Sequence, residues 1–235
     1  SDPPDLVGLA GFVAEMLQEG TVHRTSEQIA GEVDGIGASL SAGAGFGAST
    51  SRVGASGLVD DSEVLLDLMS DIVRNPTFPA DELNKFKQRE MADIQRQRSD
   101  PSFLARERFY NVLYGDFPAA RVSSTFGSVE KVTSEKLKDF HSTYYRPNNA
   151  ILGVVGDITP NNLIPLIKKY FGAWEQAQIP SDELPQLMKL GKSTIHLVDR
   201  PGSVQTNLIA GNHSLTRKNP DFIPLNVMNR ILGGG

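Results

Sequence analysis

Apolar residues recur along the chain in steps of three and four, interrupted by short glycine-rich or proline-bearing stretches. In GLAGFVAEMLQEGT (8–21), Leu9, Phe12, Val13, Met16 and Leu17 stand at i, i+3, i+4, i+7 and i+8. That spacing predicts an amphipathic helix, closed by Gly20-Thr21. The face beside the stripe carries Gly11, Ala14, Glu15 and Gln18. Two of those four have almost no side chain, and a glycine inside a helix costs about 1 kcal/mol relative to alanine. A well-patterned helix with so bare a second face asks for an explanation.

The pattern continues with a predicted helix over 26–35, including Ile29 and Val33 and stopped by Gly35 and Gly37. Residues 38–58, small and partly alternating, predict a pair of glycine-rich strands that another backbone can approach closely. A flexible surface hairpin is the alternative. Asp60-Asp61-Ser62 predicts the cap of a helix with Val64, Leu65, Leu68, Met69 and Ile72 on one face, ended by Asn75-Pro76. A charged helix runs from about 81 to 98, with Leu83, Phe86 and Ile94 inward and Asp93 on nearly the same face. Ser102 is expected to cap a helix reaching Leu113, and another covers 134–144. AILGVVGD (150–157) reads as a buried strand, and Thr159-Pro160 opens a helix with Leu163, Ile164, Ile167, Tyr170 and Phe171 inward. A polar, proline-bearing stretch from 175 to 192 predicts a linker, 193–199 and 204–211 read as strands, and a helix is expected from Pro220 to Leu232. Helices and strands mix without strict alternation, which makes the class α+β.

Composition narrows the partners. With 235 residues the chain can build one large or two smaller cored domains. A net charge of −5 with no basic stripe argues against nucleic acid as the main partner. The apolar runs are too short to span a bilayer. The absence of cysteine removes disulfides, thiolate metal sites and cysteine nucleophiles together. The four histidines, His23, His141, His196 and His213, never share a helical turn, so a zinc site would need ligands gathered from isolated positions. His141 and His196 read as structural. No G-x-S-x-G elbow is present, Gly54-Ala55-Ser56-Gly57 does not match one, and Gly233-Gly234-Gly235 lacks the Lys-Ser/Thr of a phosphate loop. The chain opens on Ser1-Asp2-Pro3-Pro4 and stops on a glycine triplet, so both ends read as cuts in a longer protein.

Several strings in order carry a resemblance. They are GLAxFxxxMLxxGT (8–21), IGASL (36–40), DPxxxA (100–105), YRPNNA (145–150) leading into LGVVGD (152–157), VDRPGxxQ (198–205) and ILGGG (231–235). Together these span almost the whole chain, which resembles the insulinase (pitrilysin) family of zinc peptidases and the mitochondrial processing peptidases. The resemblance implies a mitochondrial processing peptidase-like metallohydrolase fold, with an antiparallel-rich sheet packed against helices. It divides the chain into a first α+β domain over 1–175, its N-terminal strands missing, a linker over 176–192, and the start of a second, homologous domain over 193–235.

That family carries H-x-x-E-H on its first helix, where two histidines hold zinc and the glutamate is the general base. Laid onto this sequence, the histidines fall at Gly11 and Glu15 and the base at Ala14. The third ligand falls at Asp93, and an acidic residue seven positions earlier falls at Phe86. None of the five keeps its family residue. The resemblance therefore implies a bacterial, non-catalytic homologue with no metal of its own, zinc being expected only in an active partner subunit of the same fold. Phe86 is expected to fill the space left by the lost ligands. A peptide substrate would add to an edge strand at Ser41, Ala42, Gly43, Ala44 and Gly45, although the family strand carries more side chain there. The alternatives are a relocated metal site using Glu15, Asp93 and a histidine, or a structural core subunit of a larger complex. The resemblance favours the periplasm or cell envelope over the cytoplasm, and gives this piece no membrane contact. The arginine–tyrosine pair of some relatives belongs to a region beyond these residues.

Overall fold

The five apolar residues of the first helical pattern form the centre of the core. In the computed structural model, which describes residues 2–181, 184–187 and 191–233, Leu9, Phe12, Val13, Met16 and Leu17 are all essentially solvent-free. Each such side chain contributes about 2 kcal/mol on leaving water. Helix α1 (Leu9–Met16) is shorter than its pattern, because Leu17 to Gly20 continue as tight turns, with the Leu17 N–H bonded to the Ala14 carbonyl. Gly8 precedes the helix at φ +95°, and a Cβ there would lie 2.4 Å from Ser124 Oγ, so only glycine fits. The Asp2 carboxylate accepts from the N–H groups of Gly8 (2.7 Å) and Ala10 (2.8 Å), satisfying donors that the helix start leaves open.

Helix α2 (Ser26–Gly35) begins at a capping box of Thr25 and Gln28. Strands β1 (Ser39–Ala44) and β2 (Ser51–Ser56) pair antiparallel, with Ser39 opposite Ser56 and Ala44 opposite Ser51. Six helices follow: α3 (Ser62–Arg74), α4 (Ala80–Arg98), α5 (Pro101–Tyr114), α6 (Phe126–Lys131), α7 (Ser134–Tyr144) and α8 (Pro160–Phe171). Helix α9 (Phe222–Ile231) lies near the C-terminus. The hairpin lies on one side of α1 and α7 packs against another, while α3 rests on β2 and α8, and α4 rests on α5 and α6. Between α3 and α4, Phe78 is buried with a left-handed backbone (φ 51°), and Ser134 Oγ donates to its carbonyl at 2.8 Å. Burying the ring offsets a strain of about 1 kcal/mol.

Local details differ from the sequence expectation. Asp100, not Ser102, caps α5: its carboxylate accepts from the Ser102 N–H at 2.9 Å, with Pro101 in the first turn. Helix α3 is preceded by a 3-10 turn and has no side-chain cap, and Val64 is exposed while Leu66, Leu68, Ile72 and Val73 face inward. The short α6, with its Thr125 cap, has too few residues for a hydrophobic period and was not expected. The largest correction concerns strands. Residues 150–157, 193–199 and 204–211 form none, and Ile151, Val155, Ile195 and Val204 are fully exposed. A strand needs neighbours for its N–H and C=O groups, and among the described residues the only paired strands are β1 and β2. For the same reason the inward stripe expected on α8 is only half covered, with Ile164 exposed. The linker expected at 176–192 includes residues 182–183 and 188–190, and the closing string includes Gly234 and Gly235; these lie outside the described residues.

Candidate functional site

The bare face of α1 is turned toward β1 and α4. A Cβ on Gly11 would lie 3.6 Å from the Ala44 carbonyl oxygen, and one on Gly43 would lie 3.9 Å from Glu15 Oε1. The helix therefore runs beside β1, with residue 11 near Ala44 and residue 15 near Gly43. Ala14 is completely buried, while Gly11 and Gln18 are partly exposed and Glu15 is exposed, so the face is closed only at Ala14. Of the five residues expected to form the edge strand, Ser41, Ala42, Gly43 and Ala44 lie in β1. Gly45 does not. It starts the hairpin turn, where its carbonyl accepts from the Ala48 N–H at 3.1 Å.

From the opposite side α4 brings Phe86. Its ring meets Phe12 edge-on, with centroids 4.7 Å apart and planes at 85°, and it packs against the core cluster. The Arg89 guanidinium lies 5.5 Å from the centre of the Phe86 ring and 4.0 Å from Glu19. Glu15 is exposed but sits in crowded acidic surroundings. Partial burial, followed by Glu19, pushes its carboxyl above the ordinary value; Arg89 opposes the shift and Glu90 adds to it. Asp93 is half-exposed and pairs with Arg96 one turn on, at 2.8 Å. Of the five positions that the resemblance marks, Gly11, Ala14 and Phe86 carry no ligating side-chain atom, and Glu15 and Asp93 carry carboxylates. Among the described residues, no group of three or more His, Cys, Asp or Glu could hold a metal ion. The donor set does not fit the family's zinc ion.

The histidines are engaged elsewhere. His141 Nε2 donates to the Val73 carbonyl at 2.7 Å, and its ring stacks on Tyr145. Burial pushes its imidazole below the ordinary value, against the Val73 hydrogen bond, and so keeps it neutral. His213 Nε2 meets the Leu113 carbonyl at 2.7 Å, His196 lies beside Arg108, and the exposed His23 is 4.0 Å from Asp71. Glu15, Asp93 and a histidine are not gathered into a relocated site.

Two arrangements escaped sequence reasoning. The first is an ionic knot built on the buried Asp71. Arg24 donates to Glu32 (3.0 Å), Asp67 (2.6 Å) and the buried Asp71 (2.9 Å), while Asp71 also accepts from Thr21 (2.7 Å) and Asn75 (2.9 Å). Burial alone would raise Asp71; hydrogen bonds from Thr21, Asn75 and Arg24 outweigh it and hold the carboxyl below the ordinary value. The i, i+4 spacing of Asp67 and Asp71 was the available signal. The second is Gln18. With its amide oriented to suit its neighbours, the nitrogen donates to the Leu40 carbonyl (3.1 Å) and the oxygen accepts from the Ala42 N–H (3.3 Å). The sequence marked it only as a polar residue of the bare face.

A hairpin laid along a buried helix, with further helices on both, is the α+β arrangement of peptidase domains of one family. Residues 1–122 match the family described as Insulinase (Peptidase family M16), and residues 131–235 match the Peptidase M16 inactive domain. The chain belongs to the insulinase family. It is 27% identical over 236 residues to an uncharacterised zinc protease of Mycobacterium leprae, covering 98% of this chain and 52% of that protein. An uncharacterised zinc protease of Bacillus subtilis is 23% identical, with coverage of 99% and 56%. Among solved structures, a peptidase M16 inactive domain from Pseudomonas fluorescens superposes with a TM-score of 0.70 at 28% identity, over 79% of this chain and 45% of that one. A protease from Helicobacter pylori shares the fold, with a TM-score of 0.68 at 20% identity, over 80% and 45%. The chain thus spans about half the length of these relatives.

Proposed function

We propose that this chain is a non-catalytic member of the insulinase family, one that binds peptide along β1 and pairs with an active zinc metallopeptidase of the same fold. The observation that carries the reading is the chemistry at three positions of α1. Gly11, Ala14 and Glu15 offer a hydrogen, a buried methyl and a carboxylate where the family's hydrolysis uses two imidazole ligands and a general base. Water activation on zinc needs both the ligand set and the proton acceptor, and neither is supplied here. What survives is the hairpin, whose β1 edge lies beside α1 as a surface for an extended peptide. The divided labour is supported by the family assignment and by the intact core beneath the altered face.

Two measurements test this. The purified chain should leave a panel of quenched fluorescent peptides uncut, with or without added zinc; cleavage abolished by a chelator and restored by zinc would overturn the reading. Affinity capture of the natural protein from its own host should bring down a family member carrying an intact H-x-x-E-H motif. Recovery of a membrane complex instead would favour a purely architectural role.

A further inference from the structure

Gln18 stands in the turn directly after α1, and its side-chain amide lies against the β1 backbone. The orientation with nitrogen toward Leu40 and oxygen toward Ala42 satisfies both partners at 3.1 and 3.3 Å; the reverse would set acceptor on acceptor and donor on donor. Leu40 and Ala42 are alternate residues, so their free groups leave the strand on one side. The Ala44 carbonyl approaches Gly11 from the same parity of residue. The three even-numbered residues of β1 therefore turn their backbone groups toward α1, while the odd-numbered ones are left to pair with β2. An added strand would use the same Leu40 carbonyl and Ala42 N–H. A glutamine side chain ends in the polar groups of a peptide unit, one carbonyl and one N–H-bearing nitrogen.

We propose that the Gln18 amide is an internal stand-in for a peptide group on the β1 edge, which an extended peptide must displace before it can pair with Leu40 and Ala42. The inference rests on reading β1 as the peptide-accepting edge, and it names the residue that controls access to it. At the other end of the strand a Cβ on Gly11 would lie 3.6 Å from the Ala44 carbonyl oxygen and one on Gly43 would lie 3.9 Å from Glu15 Oε1, so α1 itself flanks the edge there. The peptide gains Leu40 and Ala42 as Gln18 swings out. Because Gln18 lies beyond Met16, its movement unwinds no part of α1.

The test compares the wild-type protein with Gln18→Ala and Gln18→Leu, the second keeping volume without the amide. Exchange of the Ala42 amide proton reports on the contact. Anisotropy of a fluorescein-labelled peptide repeating Lys-Val-Thr-Val reports on the edge, with the same peptide N-methylated at alternate residues as a control that cannot pair. Both variants should lose protection at Ala42 and bind the unmodified peptide about tenfold more tightly, the equivalent of one or two modest hydrogen bonds no longer displaced. The methylated peptide should gain nothing. Unchanged Ala42 exchange together with unchanged affinity would overturn the proposal. Lost Ala42 protection with no peptide binding by any of the three proteins would overturn the peptide reading of β1 and leave the Gln18 contact standing.

Discussion

Ala14 shows how firmly the altered face of α1 is committed. Its methyl is completely buried, so Ala14→Glu, which would supply the general base missing in the proposed reading, would force a carboxylate out of water. We expect it to destabilise the fold by about 3 kcal/mol or more, read as a lower urea midpoint. Glu15 behaves differently because it is exposed. Its folded carboxyl titrates above the ordinary value, so ionisation is disfavoured in the native state and stability falls as pH rises through that range. Glu15→Gln should therefore stabilise the protein at neutral pH and leave it unchanged below the ordinary carboxylate value. Denaturant curves at both pH values check this, and a gain that persists in acid would refute it. The identities at 11, 14 and 15 were plain in the sequence. The covering of Ala14 and the reach of Gln18 were not, since both depend on which element lies opposite.

Between elements, two contacts determine how the helices seat around the hairpin. Phe86 joins α4 to α1 through its edge-on contact with Phe12. Phe86→Ala should cost about 2 kcal/mol, less than a fully buried ring, because Phe86 is only partly covered. The Arg24 knot ties the segment before α2 to α3. Asp71→Asn should cost about 3 kcal/mol at pH 7, since it leaves Arg24 short of a buried partner. The native Asp71 carboxyl titrates below its unfolded value, so the stability it supplies is present above that value and lost as pH falls through the folded one. His141 acts in the neighbouring window. Its folded imidazole resists protonation, so stability declines as pH drops below about 6.5. That decline should be absent in His141→Gln, as thermal melts across pH 5.5 to 7.5 would show. Helices α1, α2, α4 and α7 were legible within a few residues, because a period of 3.6 with a cap or breaker is a local signal. The knot was not, because its members are scattered from residue 21 to residue 75.

At the scale of the whole molecule, burial is unevenly spread. The core cluster draws on residues 6 to 137, with partly buried neighbours as far as Trp174, while the apolar residues of 150–155, 193–209 and α9 are largely exposed. Hydrogen exchange on this chain should find slow amides in α1, α3 and α7 and fast ones across 151–155 and 195–209. Slow exchange in those two segments would mean that another chain or a second copy covers them. No helix among the described residues is long and apolar enough to cross a membrane. The sequence by itself determined the family, the α+β class, the amphipathic stripe of α1 and the small residues at 11 and 14 beside Glu15, because those reside in residue identity and near-neighbour spacing. Only the tertiary structure decided that Gly11 and Glu15 lie beside β1, that Phe86 meets Phe12 from α4, that the Gln18 amide lies against Leu40 and Ala42, and that three strand-like stretches pair with no second strand among the described residues. A strand or a strand-edge contact exists only when a second backbone or side chain arrives to satisfy its N–H and C=O groups, and one-dimensional spacing does not carry the identity of that arrival.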